Sequence, residues 1–358
     1  MSELFTPLQI KSITLKNRLV VSPMCQYSSL DGFSGEWHMV HLGSRAIGGA
    51  ALVFTEATAV TPEGRISPSD LGIWKDEHIE NLKRIATFIE SHGAVPGIQL
   101  AHAGRKSSQE PPWKGSTSIP VSEGGWETFA PSAIAFKEGE PVPKELSKKE
   151  IKDLVLRFKE AAERAFKAGF KILELHGAHG YLIHEFLSPI SNKRKDNYGG
   201  SFENRIRFLK EIITSVREAW PTELPLFLRI SATEYTEGGW SEKDSIELAT
   251  LIKEMDVDLL DCSTGGNIHG VRIELKPLYQ TDLAESIKKA SGIKTGAVGL
   301  ITTSGEAESV IAGGRADLVF MAREFLRDPY FPLRAAYELG VDVDWPDQYL
   351  RAKKKLKT

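Results

Sequence analysis

The chain has 358 residues, 41% of them hydrophobic and 26% charged, with a formal net charge of −3. That near-neutral balance is typical of a globular protein and argues against a dedicated nucleic-acid or membrane-surface role. No apolar run reaches the roughly 18–20 residues of a membrane span. The opening "MSELFTPLQI" lacks a signal-peptide pattern, so a cytoplasmic location is expected, and Cys25 and Cys262 are too few for a disulfide framework.

Residues 5–17, "FTPLQIKSITLKN", read as a short hairpin that could plug the bottom of a barrel. Eight short apolar, β-branched runs then appear in order: 18–24, 51–58, 96–102, 171–177, 225–231, 259–264, 294–299 and 317–323. A helical pattern comes after each. The clearest is 150–168, where Ile151, Leu154, Val155, Phe158, Ala161, Ala162, Ala165 and Phe166 recur at three- and four-residue steps. The stretch 201–220 opens on Ser201 and reads as one capped helix. Strand–helix alternation implies a parallel sheet with helices outside. A count of eight selects an α/β fold, the (β/α)8 TIM barrel, as a single domain over 1–358. A doubly wound open sheet is the alternative, but no G-x-G-x-x-G comes after the first strand. The segment 105–150 is rich in Pro, Gly and Ser and lacks a helical period. Its Trp113, Trp126, Phe129, Ile134 and Phe136 predict an ordered lid after strand three. Residues 341–358 form a C-terminal tail.

Barrel enzymes work at the C-terminal ends of their strands. There the sequence places Ser22, Pro23, Met24, Cys25 and Tyr27 after strand one, Ala57 in strand two, Gln99 and His102 in strand three, and His176, His179 and Tyr181 after strand four. Arg229, Asp261 with Cys262, Gly296 with Gly299, and Ala322 with Arg323 complete the ring. Each has a plain reading. Cys25 alone is a small buried hydrophobe. Gln99 could satisfy backbone groups, and Arg229 could simply pair with Asp261. Together they describe a ligand. The run "GAVGLITTSGEA" offers glycines and then Thr302, Thr303 and Ser304, where a helix can begin with free N–H groups for a phosphate; Arg323 adds a cation. At the other end, an amide, a cation and a thiol suit the ring of a flavin.

These residues lie in motifs that resemble one family along essentially the whole chain: "SPMCQYS", "TEATAVTPEGRIS", "GIQLAHAGRK", "FAPSAIAF", "HGAHGYLIHEFLSPISNKRKDNYGGSFENRIRF", "GAVG", "ADLVFMARE" and "LRDPYFP". The chain resembles the old yellow enzymes, FMN-dependent ene reductases, in their thermophilic-like and xenobiotic-reductase branch. The resemblance implies tightly but non-covalently bound FMN and NADPH or NADH as reductant. It implies FMN contacts from Ser22, Pro23, Met24, Cys25, Ala57, Gln99, Arg229, Gly299, Ala322 and Arg323. Ala322 departs from the glycine common at that position. His176 and His179 would bind a carbonyl or nitro oxygen, Tyr181 would supply a proton, and Tyr27 would line the pocket. The implied substrates are activated alkenes: enones, enals, maleimides and nitroalkenes. The implied assembly is a homodimer or dimer of dimers in which a C-terminal arginine, here Arg351, reaches the neighbouring site.

The expected reaction is ping-pong. Hydride goes to the β-carbon, the histidine pair stabilises the developing oxyanion, and Tyr181 protonates the α-carbon from the other face, giving net trans addition. No metal is expected. A metal-dependent barrel hydrolase using His176, His179, His184 and Glu185 is the rival, although His184 and Glu185 fall in a helical turn beyond the pair. A Schiff-base aldolase is disfavoured because Lys171 and Lys294 start their strands rather than end them.

Overall fold

The computed structural model describes residues 2–356. Eight parallel strands close into a barrel. In chain order they are Leu19–Val21, Leu52–Ala59, Val95–Ala101, Ile172–Gly177, Leu226–Ser231, Leu259–Ser263, Lys294–Ala297 and Leu318–Met321. Seven match their sequence-predicted runs to within a residue or two at each end. The first, expected over 18–24, stops three residues early at Val21. They are near-continuous apolar segments because both faces are covered, by the barrel interior and by the outer helices.

The N-terminal strands Leu8–Ile10 and Ile13–Leu15 pair antiparallel. Ile10 and Leu15 then pack with Val20, Leu52, Phe54, Phe227, Leu259 and Phe320 in a separate apolar cluster at the N-terminal end of the barrel. The hairpin therefore closes the barrel floor. Burying each such side chain contributes roughly 1.5–3 kcal/mol.

The helix Lys148–Lys167 begins with a reciprocal cap between Ser147 and Glu150 and buries seven of the eight periodic residues. Phe166 is the exception. It is 49% exposed and turns its ring edge-on to Trp220. The stretch expected as one helix from 201 is two, Phe202–Arg205 and Arg207–Arg217, broken at Ile206. The break lets the Arg205 guanidinium reach the carbonyls of Leu187 (2.7 Å) and Gly200 (2.8 Å), which ties the long connection after strand four to the barrel. Residues 105–150 hold 3-10 turns and one pair of two-residue strands, Phe129–Ala130 and Lys144–Glu145. No helix among the described residues is long and apolar enough to cross a membrane.

Candidate active site

Strand register brings the candidate residues to one level. Ala57 is opposite Gln99, Gln99 opposite Glu174, His176 opposite Arg229, and Arg229 opposite Asp261. Strand two reaches that level through an irregularity between Phe54 and Ala57, the kind of bulge that re-aims side chains beside active sites.

A buried polar cluster results. Gln99 Nε2 donates to Glu174 Oε1 at 2.7 Å. Arg229 Nη1 donates to Ser22 Oγ at 3.0 Å, and its Nε lies 3.0 Å from Asp261 Oδ2. Both plain readings therefore hold: Gln99 has a protein partner and Arg229 has its ion pair. They do not exhaust the cluster. Arg229 Nε, Glu174 Oε2 and both Asp261 oxygens have no aligned hydrogen bond, although such buried groups are normally satisfied. Burial, with Asp261 adding to it, pushes the Glu174 carboxyl well above the usual range. Burial raises Asp261 to about 6, against the pull of Arg229. One guanidinium thus faces two carboxyls whose charged forms burial disfavours, a floor with polar atoms to spare.

The loop after strand one is held by residues the sequence did not single out. Glu56 Oε2 accepts from the Gln26 N–H at 3.0 Å, and Glu56 Oε1 meets His38 Nε2 at 3.0 Å. Gln26 in turn accepts from Trp37 Nε1 at 3.0 Å and donates to the Met24 carbonyl at 2.8 Å. These bonds fix Ser22–Tyr27. Met24 packs on the main core. Cys25 is half-buried, and burial, then Asp70 and Glu56, keep its thiol protonated. Tyr27 sits at φ +50° with its ring 5.5 Å from, and edge-on to, Trp113.

After strand four, the His176 and His179 rings are 5.2 Å apart and those of His176 and Tyr181 5.0 Å apart. Burial, then the Arg229 charge, holds both imidazoles well below their usual pKa, so both are neutral. His176 Nδ1 accepts from the Ala178 N–H at 3.3 Å, which puts its proton on Nε2. His179, at φ +59°, has Nε2 2.7 Å from Ser263 Oγ. Burial raises the Tyr181 phenol well above 10.

His184 and Glu185 turn elsewhere. His184 Nδ1 accepts from the Gly180 N–H at 2.9 Å, and its Nε2 is 3.1 Å from Glu234. Glu185 accepts from the Arg105 N–H at 2.8 Å. Arg105 also donates to Asn267 through its carbonyl (2.7 Å) and Oδ1 (3.1 Å), fastening the strand-three loop to the loop after strand six.

The residues expected to cradle a phosphate gather in part, with a different set of N–H groups on offer. Thr302 and Thr303 do not offer free N–H groups, because Glu306 accepts both at 2.8 and 3.1 Å and caps its own helix. The free set lies earlier. Gly299 (φ +119°) and Leu300 (φ +52°) are consecutive left-handed residues, a concave arrangement that presents N–H groups to an anion. A Cβ at Gly299 would meet Gln280 Nε2 at 2.6 Å, so the turn needs glycine. Gly299, Leu300, Ile301, Ala322 and Arg323 line one cavity of about 160 Å³. Ala322, at φ −109°, sits there without the strain that would demand glycine. Arg351 is not brought to this site. It is exposed, on a tail whose residues 342–348 line a cavity with Lys16, Asn17 and Ser91–Gly93 at the barrel's opposite end.

A phosphate cradle and a polar floor with unsatisfied amide, guanidinium and carboxyl atoms, joined through the strand-one loop, fit a phosphorylated flavin. Known proteins point the same way. The model of the NADH:flavin oxidoreductase / NADH oxidase family matches residues 3–342. The chain is 51% identical over 350 residues to an NADPH dehydrogenase of Geobacillus thermodenitrificans (strain NG80-2), covering 97% of this chain and 98% of that one. Among solved structures, morphinone reductase matches with TM-score 0.80 and 28% identity over 97% of this chain and 92% of the other. A 2-naphthoyl-CoA reductase matches with TM-score 0.85 and 27% identity, covering 94% of this chain but only 52% of that longer one. The chain therefore belongs to the NADH:flavin oxidoreductase family, in the old yellow enzyme group. It is an FMN-dependent oxidoreductase that takes its electrons from a nicotinamide.

Proposed function

We propose that this enzyme reduces activated C=C bonds: enones, enals, maleimides and nitroalkenes. The observation that carries the reading is the grouping of two neutral imidazoles and a protonated phenol, His176, His179 and Tyr181, with ring centres about 5 Å apart beside the flavin-type floor. FMN, when bound, supplies hydride transfer from NADPH or NADH to the alkene. Ser22, Gln99 and Arg229 would hold its polar ring edge. Pro23, Met24, Cys25 and Ala57 would line its ring, and Gly299, Ala322 and Arg323 its phosphate. Held non-covalently, it needs no more than these contacts.

His176 and His179 bind the carbonyl or nitro oxygen as neutral donors, and negative charge grows there as the alkene is reduced. For His179 this requires the proton on Nδ1, with Ser263 donating to Nε2. Ser263 is free to do so because Thr264 already donates to Gln280 Oε1 at 2.6 Å, a better bond than the 3.3 Å one from Ser263. Tyr181 gives its proton to the α-carbon. Tyr27 lines the pocket, and the 105–150 insertion acts as its lid. Arg351 of one copy completes the site of a neighbour in a homodimer or dimer of dimers. A cytoplasmic location, where NADPH is at hand, suits the reaction.

The test is anaerobic. NADPH should bleach the yellow holoenzyme, and cyclohexenone should restore the colour. Tyr181→Phe should leave bleaching intact and slow the recovery roughly 100-fold. A holoenzyme that bleaches but is never reoxidised by any activated alkene would sink the proposal.

A further inference from the structure

Lys106 is a half-buried cation that this chemistry leaves unused. It ends the single turn Gly104–Lys106 after strand three. Its Nζ donates to the carbonyls of His179 at 2.8 Å and Gly266 at 2.9 Å. It lies 5.1 Å from the Tyr181 ring centre and 4.6 Å from that of Phe136. Its direct acceptors are therefore carbonyls and ring faces rather than a carboxylate. The charged groups that face it are Glu185 from the helix after strand four, Arg105 beside it, and Glu140 of the insertion. The imidazoles of His176 and His179 are neutral and add no charge.

Tyr181 poses a problem that this cation answers. Burial, then the neighbouring Cys25, Tyr27 and Asp70, all disfavour its ionised form. A proton donor must nevertheless leave a phenolate behind. We propose that Lys106 is a positioning residue for proton transfer: its ammonium, fixed over the Tyr181 ring by the His179 and Gly266 carbonyls, offsets the charge that forms on the phenol. In that step the Tyr181 O–H bond breaks and its electron pair stays on oxygen. The α-carbon of the reduced substrate supplies the pair for the new C–H bond. Water then reprotonates the phenolate. The same carbonyl bond ties the ammonium to His179, so one lysine sets the distance between oxygen binder and proton donor.

The inference rests on Tyr181 as proton donor, and single-turnover reoxidation of the reduced holoenzyme by cyclohexenone separates the two claims. Burial lowers the Lys106 pKa to about 8. The ammonium is charged below that value, so the wild-type rate should fall as pH rises through it. Lys106→Met should be slower by roughly 10- to 100-fold at neutral pH and lack that limb. Lys106→Arg should keep much of the rate and carry it to higher pH, because a guanidinium stays charged. Glu185 is also raised to about 8 by burial. A limb that survives Lys106→Arg and disappears in Glu185→Gln overturns the assignment. In isotope-labelled protein, the lysine resonance missing from Lys106→Met should titrate with the midpoint of the rate limb; a different midpoint overturns it too. If Tyr181→Phe reoxidises at the wild-type rate, the proton-donor reading fails and takes this one with it. If Tyr181→Phe is slow but Lys106→Met is not, or if Lys106→Met slows Tyr181→Phe as much as it slows wild type, only the role of Lys106 is lost.

Discussion

In the proposed function, Ser263 sets which nitrogen of His179 carries the proton. Its hydroxyl is 2.7 Å from Nε2, and a hydroxyl that donates there leaves Nδ1–H for the substrate oxygen. Ser263→Ala removes that control. The KM for cyclohexenone should then rise roughly fivefold, the worth of one hydrogen bond, while anaerobic reduction by NADPH keeps its rate. An unchanged KM would mean that His179 does not bind oxygen through Nδ1. At this scale the sequence was informative about residue types at strand ends and anticipated the Arg229–Asp261 pair, but it was silent about most other partners. His176, His179 and Tyr181 share one short run, so their grouping is local and legible. Ser263 reaches His179 across 84 residues, and His38 reaches Glu56 from the helix after strand one. Contacts of that kind depend on how the barrel closes. The part given to the Thr302 and Thr303 N–H groups failed for a related reason, while Gly299, Ala322 and Arg323 do line one cavity. Glu306 stands three residues after Thr303 in capping-box spacing, which the sequence reading did not weigh, and its carboxylate takes the Thr302 and Thr303 N–H groups.

Among the elements, the 105–150 insertion has two aromatic anchors and a looser edge. On one side Trp126 Nε1 donates to the Glu63 carbonyl at 2.8 Å, with Arg65 stacked 4.8 Å from the Trp126 ring. On the other, Phe136 meets His269 edge-on at 5.8 Å and receives Lys106 on its face. Ahead of both in the chain, Trp113 is 69% exposed and touches Tyr27 edge-on. If Tyr27 lines the substrate pocket as proposed, an exposed aromatic set against it acts on what enters rather than on stability. Trp113→Ala should leave the unfolding free energy within about 0.5 kcal/mol. It should raise the kcat/KM of bulky ring enones relative to cyclohexenone by roughly tenfold, since one apolar wall is worth about 1–3 kcal/mol. Equal ratios in mutant and wild type would remove Trp113 from the specificity wall. The aromatic content of this segment already marked it as ordered. Its anchors, Glu63, Arg65 and His269, lie outside it, which is why composition alone could not show how it docks.

For the whole molecule, the barrel itself was the most legible feature, because period-two and period-3.6 patterns are local and eight repeats constrain closure. The tail is the opposite case. Residues 342–348 pack at the barrel floor, Lys353 pairs with Asp342 at 2.6 Å, and Tyr349 lies against Tyr330 with ring centres 5.9 Å apart. These contacts hold Arg351 exposed and away from the catalytic end of its own chain. Any effect of Arg351 on catalysis must therefore act through a second copy. Arg351→Ala should leave Tm unchanged, as expected for an exposed side chain, and raise the KM for cyclohexenone several-fold. The decisive version mixes two inactive or weakened proteins. Copies lacking Tyr181 keep an intact Arg351, and copies lacking Arg351 keep an intact Tyr181. In a mixed dimer, one site combines Tyr181 of one copy with Arg351 of the other. Reassembled mixtures should recover the low wild-type KM in that fraction of sites. If the mixture behaves as the sum of its parts, the tail arginine does not serve the neighbouring site.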